Sequence, residues 1–241
     1  MTHAEGGNAA KVWAIVPAAG VGSRMGAECP KQYLPLAGQT IIEKTFERLL
    51  ALPIIERLVV AVNPLDDRWQ DMALAQHQKV VAVAGGKERA DSVLNGLLSL
   101  QPFAAATDWV LVHDAARPCV DIGAVKNLLR ECHGSNVGGI LGVPVSDTIK
   151  RVNADSVIAQ TIDRSSLWQA QTPQLFRYGV LLQALQRSLA AGYVVTDEAS
   201  AVEFMGLAAI MVAGSSDNIK ITRPEDLPLA EMIIKRQEMD G

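Results

Sequence analysis

The segment Val12–Gly26, VWAIVPAAGVGSRMG, decides how the rest of the sequence is interpreted. Its first half is a short apolar run typical of a buried β-strand, and its second half is a glycine-rich loop. In α/β proteins such a loop lies at the carboxyl edge of a parallel sheet, where phosphate groups bind. The segment therefore predicts an α/β fold with an anion-binding loop close to its start.

The loop matches none of three well-known glycine-containing motifs. A dinucleotide fingerprint needs glycine at its sixth position, but Gly20 and Gly22 are followed there by Met25. A Walker loop ends in Gly-Lys-Ser/Thr and a nucleophile elbow reads G-x-S-x-G, and neither is present. The loop and its flank supply backbone N–H groups and two cations, Arg24 and Lys31, which suit a polyphosphate. A tight turn with solvated cations is the structural alternative.

Outward from this segment, short apolar runs alternate with longer amphipathic stretches. The apolar runs predicted to be strands are 12–16, 57–62, 79–83, 109–112, 137–143 and 208–212. Capping boxes at Thr40–Glu43 and Thr222–Glu225 predict two helix starts, the first helix ending near Leu52 and the second with Pro224 in its first turn. Apolar faces predict helices over 91–100 and 121–132. The alternation predicts a doubly wound, mostly parallel sheet with helices on both faces.

One segment, 144–171, departs from this alternation. It carries charged residues among valines and isoleucines, and no helical face runs through it. Two runs, 145–152 and 157–163, flank an Asn-Ala-Asp-Ser turn at 153–156, which predicts an inserted β-hairpin. From the residues alone, a solvated flap and a dimerisation arm are equally good interpretations. We treat residues 1–241 as one domain that carries this arm, with residues 1–10 as a disordered tail.

Composition excludes several classes of protein. The formal net charge is −4 and aromatic residues make up only 5%, which argues against nucleic-acid binding. The first ten residues lack the apolar region of a secretory signal, and no stretch of about 18 apolar residues predicts a membrane helix. Three irregularly spaced cysteines predict free thiols in the cytoplasm, and four scattered histidines do not indicate a zinc site.

Further polar residues follow predicted strands, where ligands bind in open sheets. Asp114 follows a buried run and could hold Mg²⁺ together with substrate phosphates, although such a residue is as often a turn or cap residue. Asp217 is a second acid, close to Lys220. Gly85–Arg89 opens a helix with bare N–H groups suited to a base or ribose, and Thr196–Ala199 is most simply a helix N-cap.

Taken together, these motifs resemble the 2-C-methyl-D-erythritol 4-phosphate cytidylyltransferases of the non-mevalonate isoprenoid pathway. The glycine loop by itself indicates only the nucleotidyltransferase superfamily, whereas HDAARP at 113–118 and DNIKITRPED at 217–226 are far more specific. The motifs span nearly the whole chain, and the others are PKQY at 30–33, GGKER at 85–89, Asp91-Ser92, VSDTIK at 145–150, TPQ at 172–174 and TDEAS at 196–200. The resemblance implies a nucleotidyltransferase-like variant of the Rossmann fold.

The resemblance also implies roles for individual residues. Arg24, Lys31 and Lys220 would be catalytic, at the reacting phosphates. The residues implied in nucleotide binding are Ala18, Ala19, Gly20, Gly22, Gly86, Ser92 and Ala115. Those implied in binding the second substrate are Asp114, Arg117, Thr148, Arg164, Thr172 and Thr196. Mg²⁺ is the expected cofactor, with Asp114 and Asp217 as candidate ligands. Lys87 stands where relatives often have Asp or another polar residue, so a side-chain contact from it to CTP is not expected.

The implied reaction is attack by the phosphate of methylerythritol phosphate on the α-phosphorus of CTP, with pyrophosphate leaving. The arm would cross to a second subunit, so that Thr148 and Arg164 complete each active site in a homodimer. No nucleic-acid or membrane partner is expected. The alternatives are a ribitol-5-phosphate cytidylyltransferase, which shares the loop and the HDAARP-type motif, and a non-catalytic nucleotide-binding regulator. A dehydrogenase ranks third because the dinucleotide fingerprint is broken.

Overall fold

The structure is a computed structural model that describes residues 10–20 and 29–240, apart from the side chain of Asp240. Among the sequence predictions, the disordered tail falls outside the described residues except for Ala10. Gly22 and Arg24 of the glycine loop also fall outside them. Within the described part, the predicted alternation of strands and helices is present.

A seven-stranded sheet lies at the centre of the described residues. In spatial order its strands are β11 (Ile210–Ala213), β7 (Gly138–Pro144), β10 (Trp168–Arg177), β6 (Trp109–Val112), β1 (Val12–Ala18), β4 (Ile55–Val62) and β5 (Val80–Ala84). All neighbours are parallel except β10, which runs antiparallel to both β6 and β7. The predicted, mostly parallel sheet is therefore confirmed, and each predicted strand overlaps an observed one with ends that differ by at most 2 residues.

Strand β1 shows why the sheet is covered on both faces. Its side chains alternate between two cores: Val12, Ala14 and Val16 pack into one, while Trp13 and Ile15 pack into the other. The first core takes in α1 (Ile41–Leu50) and α3 (Ile122–Cys132). The second takes in α2 (Arg89–Leu100), α4 (Tyr178–Ala190) and α5 (Glu198–Phe204). A strand buried on both faces needs a continuous apolar sequence, which is the pattern seen in its residues.

The helix starts follow the capping chemistry, with one correction. Thr40 and Glu43 form the predicted capping box, and α1 ends at Leu50 rather than Leu52. The last helix, α6 (Asp226–Asp240), begins after Pro224, so the predicted box with Glu225 is wrong. Instead, one carboxylate oxygen of Asp226 accepts from the N–H groups of Thr222 and Arg223 and from the Thr222 hydroxyl. In the described chain, no helix has the length and apolar content needed to cross a bilayer.

The sequence prediction lacks β10 and α4. It also lacks a short antiparallel pair before α1, β2 (Pro35–Leu36) and β3 (Gln39–Thr40). The register pairs Trp168 with Pro144 and Ala170 with Gly142, so both ends of the segment 144–171 belong to the main sheet. Between them projects the hairpin, with strands β8 (Ile149–Val152) and β9 (Ile158–Ile162), which confirms the inserted hairpin. Pairing of β10 with β7 breaks between Ala170 and Gln174, and this break frees Gln171 and Thr172 from the ladder.

A chain of three hydrogen bonds joins β10 to the end of β6. The Asp114 N–H donates to the Thr172 hydroxyl at 3.0 Å, and that hydroxyl lies 3.1 Å from His113 Nδ1. His113 Nε2 lies 3.0 Å from the carbonyl oxygen of Arg117. Because a carbonyl oxygen only accepts, Nε2 carries a ring hydrogen. Complete burial lowers the pKa of His113 to about 4, so the imidazole is neutral at pH 7 and Nδ1 accepts from the Thr172 hydroxyl.

The buried histidine makes stability depend on pH in a defined window. The unfolded chain protonates His113 near pH 6.5, whereas the folded chain does so only near pH 4. The unfolded state therefore binds more protons between these values, and the free energy of unfolding falls as pH drops through the window. We expect His113 to account for a loss of about 3 kcal/mol, at about 1.4 kcal/mol per pH unit.

Urea unfolding of the protein and of His113→Gln at several pH values from 7.5 to 4 measures this contribution. The variant should lack most of the decline between pH 6.5 and 4. His133→Gln is the matched control, because His133 is exposed and should leave the pH profile unchanged. If His113→Gln retained the full decline, His113 would not be the group that titrates.

Candidate active site

The carboxyl ends of β1, β5 and β6 open into one cleft of about 500 Å³. Loops leave the sheet here because parallel strands end at the same edge. The described residues that line the cleft are Pro17, Ala18, Ala19, Gly20, Lys31, Gln32, Gly86, Lys87, Glu88, Arg89, Ser92, Asp114, Ala115, Ala116, Lys220 and Thr222. Four cations and two carboxylates are among them, so the cleft is locally positive in a chain whose net charge is negative.

One wall of the cleft is backbone packed closely against backbone. The Gly85 N–H donates to the Val62 carbonyl at 2.7 Å, and the Gly86 N–H donates to the Ser92 hydroxyl at 3.0 Å. A β-carbon on Gly85 would overlap that of Ala19, and one on Gly86 would overlap that of Asp91. The two glycines are therefore needed for close approach. This close packing places Gly86 on the cleft wall together with Ala18 and Ala19.

A short turn at Lys31–Tyr33 braces the glycine loop against the segment before α6. The buried Gln32 side chain donates to the carbonyl oxygens of Ala18, at 2.8 Å, and Gly20, at 3.3 Å. The ammonium of Lys31 donates to the carbonyl of Ile221 at 2.9 Å. Gln32 lies in the PKQY motif at 30–33, but the sequence does not predict its hydrogen bonds to the glycine loop.

Asp114 forms ion pairs with three cations in the site. Its Oδ1 accepts from Arg89 Nε at 2.9 Å, and its Oδ2 lies 2.7 Å from Lys220 Nζ and 3.7 Å from Arg117 Nε. Burial raises the pKa of the Asp114 carboxyl, but the three cations outweigh burial and hold that pKa well below its usual range. Asp114 is therefore ionised at neutral pH and holds three segments of the chain together.

Sequence reasoning missed the partner of Arg89. The guanidinium reaches Glu198 Oε1 at 2.6 Å and Oε2 at 3.1 Å, and Glu198 has no exposed surface. In the sequence, Glu198 is simply a first-turn acid of a helix, a position favoured by the helix dipole. No local signal distinguishes it from a solvated acid, because the two partners are 109 residues apart.

A second cleft of about 210 Å³ adjoins the first and shares Arg89, Asp114 and Lys220 with it. Its other described lining residues are Arg117, Ala170, Gln171, Thr172, Gln174, Thr196 and Asp197. Beside it, the Asn218 side-chain amide donates to the Thr172 backbone carbonyl at 2.7 Å. The backbone carbonyl of Asn218 accepts from the Arg117 guanidinium at 2.6 Å. Arg117 Nε and Asn218 Oδ1 are buried without hydrogen-bond partners among the described residues.

The structure gathers most of the predicted site residues but not all of them. Those lining the first cleft are Ala18, Ala19, Gly20, Lys31, Gly86, Ser92 and Ala115. Asp114 and Lys220 line both clefts, while Arg117, Thr172 and Thr196 line the second. Thr148 and Arg164 are exposed at the base of the hairpin and are not among the described residues that line either cleft. Gly22 and Arg24 lie outside the described residues.

The carboxylates do not fit a metal site supplied by the chain itself. Both oxygens of Asp114 are held by cations, and Asp217 is paired with Arg236 of α6 instead of lining a described wall of the clefts. In residues 10–20 and 29–240, no group of three or more His, Cys, Asp or Glu side chains is arranged to hold a metal ion. The arrangement is instead one for anions, with cations and backbone N–H groups facing adjacent clefts.

The chain is similar to proteins of one family over nearly its whole length. The family profile of 2-C-methyl-D-erythritol 4-phosphate cytidylyltransferase matches residues 12–236. Proteins of that name from Hahella chejuensis and Vibrio vulnificus strain YJ016 are 52% and 54% identical to it. The first alignment covers 94% of each chain, and the second covers 93% of this chain and 95% of its relative.

Solved structures agree with the sequence comparison. The crystal structure of 2-C-methyl-D-erythritol 4-phosphate cytidylyltransferase from Francisella tularensis superposes with a TM-score of 0.82 at 37% identity. The superposition covers 93% of this chain and all of that one. A crystal structure of a 4-diphosphocytidyl-2C-methyl-D-erythritol synthase gives the same TM-score and identity over 95% of this chain. The profile match, the identities and the shared fold together show that the chain belongs to the 2-C-methyl-D-erythritol 4-phosphate cytidylyltransferase family.

Proposed function

We propose that the protein joins CTP and 2-C-methyl-D-erythritol 4-phosphate to give 4-diphosphocytidyl-2-C-methyl-D-erythritol and pyrophosphate. The observation that carries this proposal is a pair of adjoining clefts that share Arg89, Asp114 and Lys220. Two anionic substrates bound in adjoining clefts would bring their phosphates to the shared residues. Full-length similarity to proteins named for this activity supports the choice of substrates.

In this reaction an oxygen of the acceptor phosphate forms a bond to the α-phosphorus of CTP. The bond from that phosphorus to the oxygen bridging the α- and β-phosphates breaks, and pyrophosphate carries the electron pair away. The acceptor phosphate is already ionised, so no general base is needed. Catalysis is mainly positioning and stabilisation of the negative charge that develops on the equatorial oxygens.

The first cleft suits the nucleotide. We assign Ala18, Ala19 and Gly86 on its wall to the cytosine, as the slot for the base, and Ser92 and Ala115 of the same cleft to the base and ribose. Gly20 and Gly22 would let the loop backbone follow the triphosphate. We assign Arg24 and Lys31 to the α-phosphate; Lys31 already lies on the cleft wall, 2.9 Å from the Ile221 carbonyl that orients it.

The second cleft suits the acceptor. Arg117 places a partly buried guanidinium at its wall, and the exposed Thr196 adds a hydroxyl group. Thr172 also lies at this wall, with its hydroxyl held by the Asp114 N–H and His113. Lys220 lies between the two clefts, where it can contact both reacting phosphates. Asp114 Oδ2 lies 2.7 Å from the Lys220 ammonium and orients it, while the Lys220 side chain stays 40% exposed and open to substrates.

We assign the divalent cation, with Mg²⁺ as first choice, to the CTP substrate. Triphosphate oxygens and water are the ligands that Mg²⁺ prefers when few carboxylates are available. Asp114 and Asp217 are engaged by cations in the structure, so no step proposed for the chain's residues depends on their binding metal. We place the enzyme in the cytoplasm, which is consistent with three free cysteines, Cys29, Cys119 and Cys132.

Release of pyrophosphate from CTP, Mg²⁺ and an acceptor tests the proposed function. We expect methylerythritol phosphate to be turned over at least about tenfold faster than ribitol 5-phosphate, and CTP to be preferred over UTP and ATP. Faster turnover of ribitol 5-phosphate would assign the protein to the alternative cytidylyltransferase activity. Binding of CTP without turnover of either acceptor would support the non-catalytic regulator.

Replacing the cation shared by the clefts tests its assigned role. Lys220→Ala should lower kcat by about 10²–10³-fold, because a charge aimed at the reacting phosphates is lost. Calorimetry should show CTP binding within about threefold of wild type, since the slot for the base is intact. Lys235→Ala is the matched control: Lys235 is an exposed lysine of α6 paired with Glu231, and its loss should leave kcat unchanged. A Lys220→Ala enzyme with normal kcat would remove Lys220 from the catalytic set.

We further propose that the hairpin is a dimerisation arm that delivers Thr148 and Arg164 to the clefts of a second subunit. Both residues flank the hairpin, Thr148 before β8 and Arg164 after β9, and are exposed in the single chain. Val152, Val157 and Ile158 on the hairpin are each at least half exposed. Exposed apolar residues on a two-stranded hairpin favour contact with a partner, because such a hairpin is marginal alone.

Mixing two inactive variants tests whether the arm acts in trans. Arg164→Ala and Lys220→Ala should each have low activity as homodimers. If the arm crosses, a heterodimer contains one site with both wild-type groups, and random assortment restores about a quarter of wild-type activity. If the arm acts within its own chain, no restoration occurs. Sedimentation of a chain in which 147–160 is replaced by a short Gly-Ser link should give monomers.

A further inference from the structure

Glu198 is a charged group in the site that the proposed reaction does not use. It is the first residue of α5, and its carboxylate is completely buried. Both carboxylate oxygens accept from the terminal nitrogens of Arg89, at 2.6 and 3.1 Å. This fork-to-fork geometry is the most directional form of ion pair.

The pair restricts what Arg89 can do in the clefts. With both terminal nitrogens engaged by Glu198, Nε remains for Asp114 Oδ1 at 2.9 Å. Arg89 lines both clefts, and without Glu198 its terminal nitrogens would be free to bind a phosphate. Glu198 therefore directs Arg89 toward Asp114 and neutralises its charge.

This arrangement also determines how Asp114 uses its two oxygens. Oδ1 is held by the Arg89–Glu198 pair, and Oδ2 is left to Lys220 at 2.7 Å and Arg117 at 3.7 Å. If Arg89 moved, the Asp114 carboxylate would be able to rotate and its bond to Lys220 would lose its fixed direction. The position of Lys220 between the clefts thus depends on a carboxylate that does not line the described walls of either one.

We propose that Glu198 is a positioning residue, which acts through Arg89 to fix Asp114 and thereby the Lys220 ammonium at the junction of the two clefts. The inference rests on the proposed function, because it assigns Lys220 to the reacting phosphates. Groups that support a catalytic residue from behind are needed when small displacements at the reacting atoms are costly.

Stabilisation of the fold explains a buried carboxylate at Glu198 less well than positioning of Arg89 does. A buried ion pair adds little stability compared with apolar residues of the same size, because both charges lose their hydration. The capping role at the start of α5 belongs to Asp197, which accepts from the Ser200 N–H at 2.9 Å. The apolar face of α5 is already anchored by the buried Ala201 and Val202.

The decisive variant is Glu198→Gln, which keeps the shape of the side chain and removes its charge. We expect kcat with methylerythritol phosphate to fall by about tenfold to a hundredfold, while KM for CTP stays within about twofold of wild type. Glu198→Asp retains the charge and should recover part of the lost kcat. Val202→Ala is the control for stability, because it weakens the same helix without touching Arg89 and should leave kcat and both KM values unchanged.

A double-mutant cycle tests the path through Asp114. Adding Glu198→Gln to Asp114→Asn should lower kcat by less than twofold further, because the group that Glu198 positions is already impaired. Independent, additive losses would overturn the proposal, and so would a Glu198→Gln enzyme with normal kcat. If Glu198→Gln does not fold, Arg89→Gln/Glu198→Gln removes both buried charges together. That enzyme should fold and remain slow, and normal kcat in it would also overturn the proposal.

Failure of the proposed function can be distinguished from failure of the role proposed for Glu198. In that case the wild-type protein would release no pyrophosphate with methylerythritol phosphate. The link between Glu198 and Asp114 is then measured by urea unfolding of the same four proteins of the cycle. Non-additive midpoints would support the link, and additive midpoints would overturn it.

Discussion

The ion pairs of Asp114 connect more of the site than any other contact. This carboxylate lies at the end of buried strand β6, and it binds cations from the start of α2, from the loop after β6 and from the segment before α6. Two of these three cations have a second contact: Arg89 is held by Glu198, and Arg117 is held by the backbone carbonyl of Asn218. The backbone of Asp114 is held as well, through Thr172 and the neutral His113. The two clefts adjoin at Asp114 because the segments that carry its three cations come together there.

The sign of the charge in the site follows from the same arrangement. The whole chain is mildly acidic, at −4, yet four cations face two carboxylates in the larger cleft. Burial of Asp114 and Glu198 would be costly for isolated charges, and the surrounding cations offset that cost. The site keeps an excess of positive charge for anionic substrates, while much of the acidity lies elsewhere on the chain. The net charge of the whole chain therefore says little about the charge of one cleft.

The antiparallel strand β10 supplies the second cleft. It enters the sheet between β6 and β7, where the other neighbours are parallel, and its ladder with β7 is interrupted before Gln174. Gln171 and Thr172 come from this interruption and line the smaller cleft. The hairpin leaves the sheet from the same strand pair, so the acceptor cleft and the proposed arm share one origin. A purely parallel sheet would have placed neither feature beside Asp114.

The sequence by itself determined the class of the fold and most of the cleft walls. Short apolar runs that alternate with amphipathic stretches indicate strands of a parallel sheet, and glycines and polar residues directly after such strands collect at one edge of that sheet. It did not predict β10 or α4. Strand β10 is exposed at one end and carries buried Gln and Thr, so its sequence shows neither a continuous apolar run nor a regular two-residue alternation. It also placed the start of α6 too early. The sequence does not show whether Glu225 or Asp226 accepts from the N–H groups that precede the helix, and in the structure Asp226 does so. Tertiary structure alone decided that Arg89 faces Glu198, that Gln32 holds the glycine loop and that Asp217 turns to Arg236. Those contacts join residues that are 14 to 109 positions apart, and a hydrogen bond or ion pair over such a separation leaves no local pattern in the sequence.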